Sequence, residues 1–599
     1  MKSYIKDYPR PQFVRADWQN LNGIWDFAFD DNNQGEIRHW ETNFIKQAEI
    51  RVPFSYETKL SGIQDETIHE NVWYQRIIEI DADKLLNNKL FIHFEGSDYL
   101  TKVMVNGKFA GSHLGGYTRF SLDVTNLVHV GQNTLTVKVE DHPDQGQPRG
   151  KQRWKPYNFG CWYVQTTGIW KTVWMEYVPQ DAIVGIKMTP DVENSWLALI
   201  VDVNSESFGP NLILKSEIYY NNILVNHIEM PMLTKHLVTG MNVFSTAVDE
   251  WGVKRWSPAH PELYDIVFSL YRNEKICDTV SSYFGMRDIC IDNSNILLNG
   301  EPIYQRLILN QGYWQDSHLT PPSEEALIED IDKIAELGYN GLRMHQKVED
   351  ERFFYWCDVK GILVWCEAPS AYTFSDETVS QFTEEWMEIV KQNYNHPSII
   401  TWTPLNESWG IPQVKTNRSQ QHFTEAIYHL TKTVDKNRPV IVNDGWEHTI
   451  SDIITLHDYE ENGKTFYDRY SAFTAKILSA EIYHSGFKSA LANGYAYKGQ
   501  PIIISEYGGI AFDDKTFGWG YGNKVATQED FLNRFDDITT SIKQLPFICG
   551  YCYTQVTDVQ QETNGLMDIG RNYKVDPEKI RKINEKSIGI WKQTKKRKE

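Results

Sequence analysis

Two glutamates each end a short apolar run and are followed by a glycine turn. The first run is Ile399-Ile400-Thr401-Trp402-Thr403-Pro404-Leu405-Asn406-Glu407, closed by Ser408-Trp409-Gly410; the second is Ile502-Ile503-Ile504-Ser505-Glu506, closed by Tyr507-Gly508-Gly509. β-Branched runs of this kind read as buried strands of a parallel sheet, and in barrels of such strands the reactive side chains sit at the carboxyl ends. Two carboxylates placed there suit double displacement at a sugar carbon, one as acid/base and the other as nucleophile. That chemistry sets a distance of about 5 to 5.5 Å between the carboxyl groups, whereas inversion through a bound water needs roughly 9 Å.

Other polar residues fall at equivalent places. Asn406, beside Glu407, is suited to bond a substrate hydroxyl next to the reacting carbon, or else to satisfy backbone at the strand end. The run Asn340-Gly341-Leu342-Arg343-Met344-His345 puts an arginine where it would keep a neighbouring carboxylate ionised, or form a structural ion pair under the rim. Such an arginine is expected within ion-pair reach of Glu506. His345 is a substrate-binding candidate or an ordinary rim histidine. In Asp452-Ile453-Ile454-Thr455-Leu456-His457-Asp458-Tyr459, Tyr459 is placed to donate to Glu506 or simply to pack.

The elements that must hold these residues come from the change of texture near residue 288. Beyond it, apolar runs alternate with helical periodicity. One helix opens at Ser323 with Glu324 and Glu325 in its first turn, Ile328, Ile331 and Ala335 on one face, and Gly338 as its stop. Another sets Phe423, Ile427, Leu430 and Val434 at helical spacing. Three joints run from helix through proline into a strand, at Pro397, Pro439 and Pro501. The pattern predicts a C-terminal (β/α)₈ TIM barrel over 288–599, with Glu407 after the fourth strand and Glu506 after the seventh. A doubly wound sheet is the alternative, but no Gly-x-Gly-x-x-Gly follows a strand. Residues 1–287 read as β: Lys102–Lys108 and Asn133–Val139 alternate apolar and polar between Asn-Gly and Gly-Gln-Asn turns. A seam near Tyr177-Val178-Pro179 divides them into a jelly-roll β-sandwich over 1–179 and an immunoglobulin-like β-sandwich over 180–287.

Bulk properties narrow the partners. The chain has 599 residues, too many for one core. Its net charge of −20 disfavours nucleic acid, and the basic tail Lys592–Lys598 reads as a frayed helix end. No apolar run is long enough to cross a membrane and the first ten residues lack a signal-peptide core, so a cytoplasmic location is expected. Seven scattered cysteines fit reduced thiols. Cys549 and Cys552 resemble a redox pair, but three positions apart on a strand they are expected on opposite faces. Twenty tryptophans and 32 tyrosines suit sugar stacking and packed sandwich cores equally.

Together these residues resemble glycoside hydrolase family 2, the β-galactosidase, β-glucuronidase and β-mannosidase family. The likeness starts at Arg15–Trp25 and continues through Val72-Trp73-Tyr74-Gln75-Arg76, Gly168–Trp174, Trp256-Ser257-Pro258 with Pro261–Tyr264, and Tyr283-Phe284-Gly285-Met286-Arg287. The resemblance implies Glu407 as acid/base, Glu506 as nucleophile, Arg343 and Tyr459 as supports, and Tyr553 at the subsite floor where relatives often carry tryptophan. Three departures bear on the substrate. Arg343-Met344-His345 is one residue shorter than the family's Arg-x-x-His; Asn310-Gln311-Gly312-Tyr313-Trp314 replaces an Arg-His-Glu-like segment; and Glu562-Thr563-Asn564-Gly565-Leu566 lacks the lysine with which glucuronidases read a sugar carboxylate. Asn572-Tyr573-Lys574 supplies that lysine only if the match is shifted.

The expectation is therefore a retaining exo-β-glycosidase acting on a carbohydrate substrate, a β-galactosidase first and a β-glucuronidase or β-glucosidase next, with self-association left open. A non-catalytic carbohydrate-binding protein would need neither glutamate, and a metal-dependent hydrolase would want the His-x-His that is missing after the first strand. No cofactor is required. For the Mg²⁺ or Na⁺ that some relatives bind, Glu367 in Trp365-Cys366-Glu367-Ala368-Pro369 offers a carboxylate, although an ion pair at the rim is the simpler role.

Overall fold

The computed structural model describes residues 4–250, 252–478, 483–485, 488–513 and 518–587. The basic tail from Lys592 lies outside them.

The first sandwich faces a four-stranded sheet (Trp18–Asn20, Val173–Pro179, Asn88–Phe94, Phe120–Asp123) against a six-stranded one (Ala48–Val52, Gly23–Phe29, Asn71–Ile80, Gly131–Glu140, Leu100–Val105, Lys108–Leu114), in those spatial orders. Alternation drives the packing: Leu135, Val137 and Val139 meet Trp25, Phe27, Tyr74 and Ile92 in one core. Asn106 and Gly107, both at positive φ, make the expected hairpin turn. Gly131-Gln132-Asn133, expected as a turn, instead opens the strand that follows.

In the second sandwich, three strands (Ala182–Asp191, Trp196–Asn204, His236–Asn242) pack on four (Ile223–Pro231, Leu212–Tyr220, Tyr264–Arg272, Lys275–Phe284). Leu197, Leu199, Val201 and Val203 point inward, while Trp196 and Ile200 face solvent. This is an immunoglobulin-like arrangement.

The last domain is a TIM barrel. Its strands are β1 (Gln305–Asn310), β2 (Gly341–Met344), β3 (Leu363–Glu367), β4 (Ile399–Thr403, continued by Leu405–Asn406), β5 (Asn443–Asp444), β6 (Ile454–His457), β7 (Ile502–Gly508) and β8 (Ile548–Thr554). All the neighbouring pairs recorded between them are parallel, and β8 returns to β1. Asp452 N–H to Val440 O and His457 N–H to Gly445 O close the turn from β5 to β6. Among the described residues the outer layer has seven helices: Glu324–Glu336, Glu351–Lys360, Asp376–Gln392, Arg418–Val434, Gly463–Leu478, Gln528–Lys543 and Pro577–Glu585. The step from β5 to β6 has none.

Four local expectations change. Ser323 caps its helix as expected, but the buried face is Leu327, Ile331 and Ile334, with Ile328 half-buried and Ala335 exposed. In the helix Arg418–Val434, Ile427 is buried but Leu430 faces solvent, because Gln421, Thr424 and Thr431 turn inward instead. Pro501 opens β7 after the paired segment Lys488–Ser489 and a loop, not directly after a helix. Cys549 and Cys552 are free, yet both join the barrel-interior cluster with Leu307, Trp365 and Ile503. A register shift along β7–β8 breaks the simple alternation that would have separated them.

Candidate active site

Parity along the strands aims the polar ends of the barrel inward. Leu363 and Trp365 lie in the inner cluster, so the next residue of that face, Glu367, points to the axis; Ile453 does the same for Thr455 and His457. On β7, Ile504 pairs with Tyr551 and Tyr507 with Tyr553, leaving two residues against one. This bulge lets Glu506 join the interior. Glu407 reaches it differently. Glu407 and Ser408 have φ of 51° and 61°, a left-handed pair that costs non-glycine residues about 1–2 kcal/mol each. Glu407 N–H to Asp444 O (2.9 Å) and Ser408 N–H to Asn443 Oδ1 (2.9 Å) hold the conformation.

Arg343 is the hub of this cluster, with its side chain fully buried. Its Nε donates to Glu367 Oε2 (2.6 Å), Nη1 to Glu506 Oε1 (2.9 Å), and Nη2 to Asn406 Oδ1 (2.8 Å); Nη1 also lies 2.7 Å from Asp444 Oδ2. Burial opposes its charge, but Asp444, Glu367 and Glu506 outweigh that and hold it protonated. Glu367 thus serves as an ion-pair partner. Burial pushes its carboxyl up to about 7 against the pull of Arg343.

His457 sits between the two glutamates. Nδ1 is 2.8 Å from Glu407 Oε1 and 3.5 Å from Glu506 Oε2, and Nε2 is 2.9 Å from Asp444 Oδ2. Ionised carboxylates only accept, so both ring nitrogens donate and the ring is an imidazolium. Burial works against this charge, but Glu506, Asp444 and Glu407 raise the group to about 10. Glu407 is lowered in turn: its burial penalty is overcome by His457, with Lys151 and Arg343 adding to the effect. Gly445 makes room for the ring, because a Cβ there would lie 2.6 Å from His457 Nδ1. Glu407, His457 and Glu506 each bring one ligand-type atom within 4.8 Å of the others. His457 commits both ring nitrogens to carboxylates, which ties the trio together as an ion-pair lattice.

The remaining expected residues divide. Tyr459 donates its hydroxyl to Glu506 Oε2 and stacks on Tyr521 with centroids 3.4 Å apart. Asn406 Nδ2 is buried with no partner. His345 Nδ1 lies 3.0 Å from Arg343 Nη2 and from Glu367; burial, then Lys151 and Arg343, keep the ring neutral. Tyr553 requires a correction. It packs outside the barrel wall against Phe535 and Tyr507, because Tyr551 and Tyr553 take the outward parity of β8 and Cys552 the inward one. It is therefore not at the subsite floor.

Some of the site's charged residues carried no expectation. His457 and Asp444 were legible in principle, as polar residues ending apolar segments. Glu562 entered only through the stretch that lacks a lysine, and Lys151 carried no expectation because it arrives on a loop of the first sandwich. That loop is pinned to the barrel by Arg149 N–H to Ser370 O (3.1 Å), Val164 N–H to Gln560 Oε1 (3.1 Å), and Gln561 Nε2 to Trp162 O (2.9 Å). Trp162, Tyr372 and Trp409 meet edge-on beside it.

Residues 18–173 match the sugar binding domain of glycosyl hydrolases family 2, residues 182–287 match a further domain of glycosyl hydrolases family 2, and residues 289–567 match the family's TIM barrel domain. The chain belongs to glycosyl hydrolase family 2. A putative beta-glucuronidase of Formosa agariphila is 27% identical over 457 residues, covering 74% of this chain and 52% of that protein. A beta-galactosidase of Thermoanaerobacter pseudethanolicus is 24% identical over 466 residues, covering 75% and 58%. The beta-glucuronidase of Rattus norvegicus is 23% identical over 547 residues, covering 82% and 77%. The chain thus spans between 52% and 58% of the length of the first two. Among solved structures, Bifidobacterium dentium beta-glucuronidase superposes with a TM-score of 0.79 at 18% identity, covering 96% of this chain and 98% of that one. Ruminococcus gnavus beta-glucuronidase gives 0.78 at 17%, covering 97% and 100%. At these identities the likeness is one of fold. No described helix is long and apolar enough to cross a membrane.

Proposed function

We propose that this protein is a retaining exo-β-glycosidase that removes terminal β-linked sugars by double displacement, with a β-galactoside as the leading substrate. The observation that supports it most is the carboxylate pair: one oxygen of Glu407 lies within 4.8 Å of one of Glu506 at the barrel mouth, on the close side of the spacing that separates retaining from inverting pairs. Glu506 is the nucleophile, held by Arg343 and Tyr459, and Glu407 is the acid/base.

The proton balance closes on two residues. Glu407 and His457 together hold one proton on their shared hydrogen bond. As Glu506 attacks the anomeric carbon, that proton passes through Glu407 to the departing glycosidic oxygen. The pair is then left with a neutral imidazole and a carboxylate. In the second step Glu407 takes a proton from the attacking water, and the freed Glu506 carboxylate restores the charge that favours imidazolium. Asn406, with an unused buried Nδ2, bonds the hydroxyl next to the reacting carbon. The seven unpaired cysteines support a reducing, cytoplasmic setting.

β-Glucuronidase and β-glucosidase are the alternatives, the former favoured by the names of the relatives above. A panel of nitrophenyl β-glycosides (galactoside, glucoside, glucuronide, galacturonide, mannoside, fucoside, arabinoside) tests the reading. Turnover of at least one, with the β-anomer as first product by proton NMR, is expected. No turnover of any would leave a carbohydrate-binding protein, and an α-product would overturn retention.

A further inference from the structure

The connection from β5 to β6 carries contacts that the chemistry above does not use. Glu447, three residues past β5, is 4% exposed and has φ of 49°, so it is a left-handed non-glycine residue like Glu407 and Ser408. Backbone of this kind persists only where its surroundings over-determine it, and it gathers at functional sites. Here the surroundings are the acid/base turn itself. Ser408 Oγ donates to Glu447 Oε2 (2.7 Å) and accepts from Asn443 Nδ2 (3.1 Å). The same amide donates to Trp446 O (2.7 Å), and its Oδ1 accepts from Ser408 N–H (2.9 Å). A hydroxyl has one proton to give, and a carboxylate is the stronger acceptor for it.

Glu447 is itself held from the far side. Its N–H donates to Ser489 O (2.8 Å), His448 N–H donates to Ala490 O (3.0 Å), and His448 and Leu491 form a parallel bridge. Lys488 Nζ lies 3.3 and 3.4 Å from the two carboxylate oxygens of Glu447, and 5.4 Å from the ring centroid of Trp446. Trp446 in turn meets His457 edge-on, with centroids 5.5 Å apart. Two consecutive residues therefore approach the acid/base by separate routes. Glu447 acts through Ser408, the next residue in the chain, and Trp446 through His457, which is bonded to Glu407 Oε1.

Resting on the glycosidase reading above, we propose that Glu447 is a positioning residue for the acid/base: by fixing the Ser408 hydroxyl it keeps the left-handed turn from relaxing, and so keeps Glu407 aimed at the departing glycosidic oxygen. It touches no reacting atom. The nucleophile is held separately, by Arg343 and Tyr459, so removing Glu447 should impair proton delivery and leave the attack on the anomeric carbon intact.

The test compares E447A, E447Q and S408A with the native full chain on two β-glycosides of the preferred sugar. A dinitrophenyl glycoside loses its aglycone without a proton, whereas a methyl glycoside needs one. E447A and S408A should each lower kcat/KM for the methyl glycoside roughly tenfold to a hundredfold, the loss expected when a catalytic group is misplaced, and leave the dinitrophenyl glycoside within about threefold of native. The double variant should lose little more than the worse single one, since one hydrogen bond joins the two side chains. E447Q keeps an acceptor for Ser408 Oγ and should recover most of the methyl-glycoside rate. Thermal melts confirm that the variants fold, and S408A carries the test alone if E447A does not. Equal losses on the two substrates overturn the proposal, as do an unchanged methyl-glycoside rate in the folded variants and an E447Q as impaired as E447A. A native chain that hydrolyses no β-glycoside overturns the glycosidase reading itself, and the proposal with it.

Discussion

Nδ1 of His457 lies 2.8 Å from Oε1 of Glu407, so the proposed acid/base shares its proton with an imidazole whose other nitrogen is anchored on Asp444. An acid/base working through such a pair should keep its proton to unusually high pH.

That gives a pH prediction. His457 is raised to about 10, whereas Glu407 alone is a carboxylic acid. The alkaline limb of kcat/KM reports loss of the essential proton. It should lie on the alkaline side in the native enzyme and move to lower pH by more than one unit in H457N. An alkaline limb that stays where it was would remove His457 from the proton path.

The same ring makes stability depend on pH. Its folded pKa is raised above the unfolded value of about 6.5, so its contribution is fully present below that pH and is lost as pH rises through about 10. Asp444 has the opposite sense. Burial would raise it, but Arg343 and His457 hold it well below the ordinary range, so its contribution is lost only in strong acid. Thermal midpoints should fall between neutral pH and pH 10, and H457N should flatten that slope. A native profile as flat as the variant's would contradict the imidazolium.

Arg343 carries both structure and site. R343A strands Glu367, Asp444 and Glu506 in the interior and should cost about 3–5 kcal/mol in urea unfolding. R343K keeps the charge without the planar fork, and should fold while losing kcat. An R343A variant as stable as the native chain would show the lattice to be dispensable.

The acid role of Glu407 separates substrates. E407Q should slow glycosides with poor leaving groups far more than activated aryl glycosides, because only the former need a proton in the first step. Equal losses on both would count against it.

How far the sequence reached follows from what each signal depends on. Strand parity and β-branched runs placed Glu407, Glu506, Arg343, Asn406 and Tyr459 at one end of a barrel, and the structure brings those five together. The resemblance misplaced Tyr553, which faces outward on β8 while Cys552 faces inward, and simple parity misjudged Cys549 and Cys552 because bulges between β7 and β8 shift the register. Helical spacing misjudged Leu430, because polar Gln421 and Thr424 were buried in place of an apolar residue, and it chose Ile328 and Ala335 where Leu327 and Ile334 take the buried face. Lys151 had no local signature. Its place is set by a loop from a separate domain, held to the barrel by contacts about 200 to 400 residues apart in sequence, a range no local periodicity can register.

The most direct test of the central claim is to trap the intermediate. Incubation with an activated 2-deoxy-2-fluoro β-glycoside of the preferred sugar, followed by digestion and mass spectrometry, should find one sugar esterified to the peptide holding Glu506. E506A should carry no label and should regain turnover with azide, yielding an α-glycosyl azide. A label on any other residue, or turnover in E506A within about tenfold of native without added nucleophile, would contradict the assignment of Glu506 as the nucleophile.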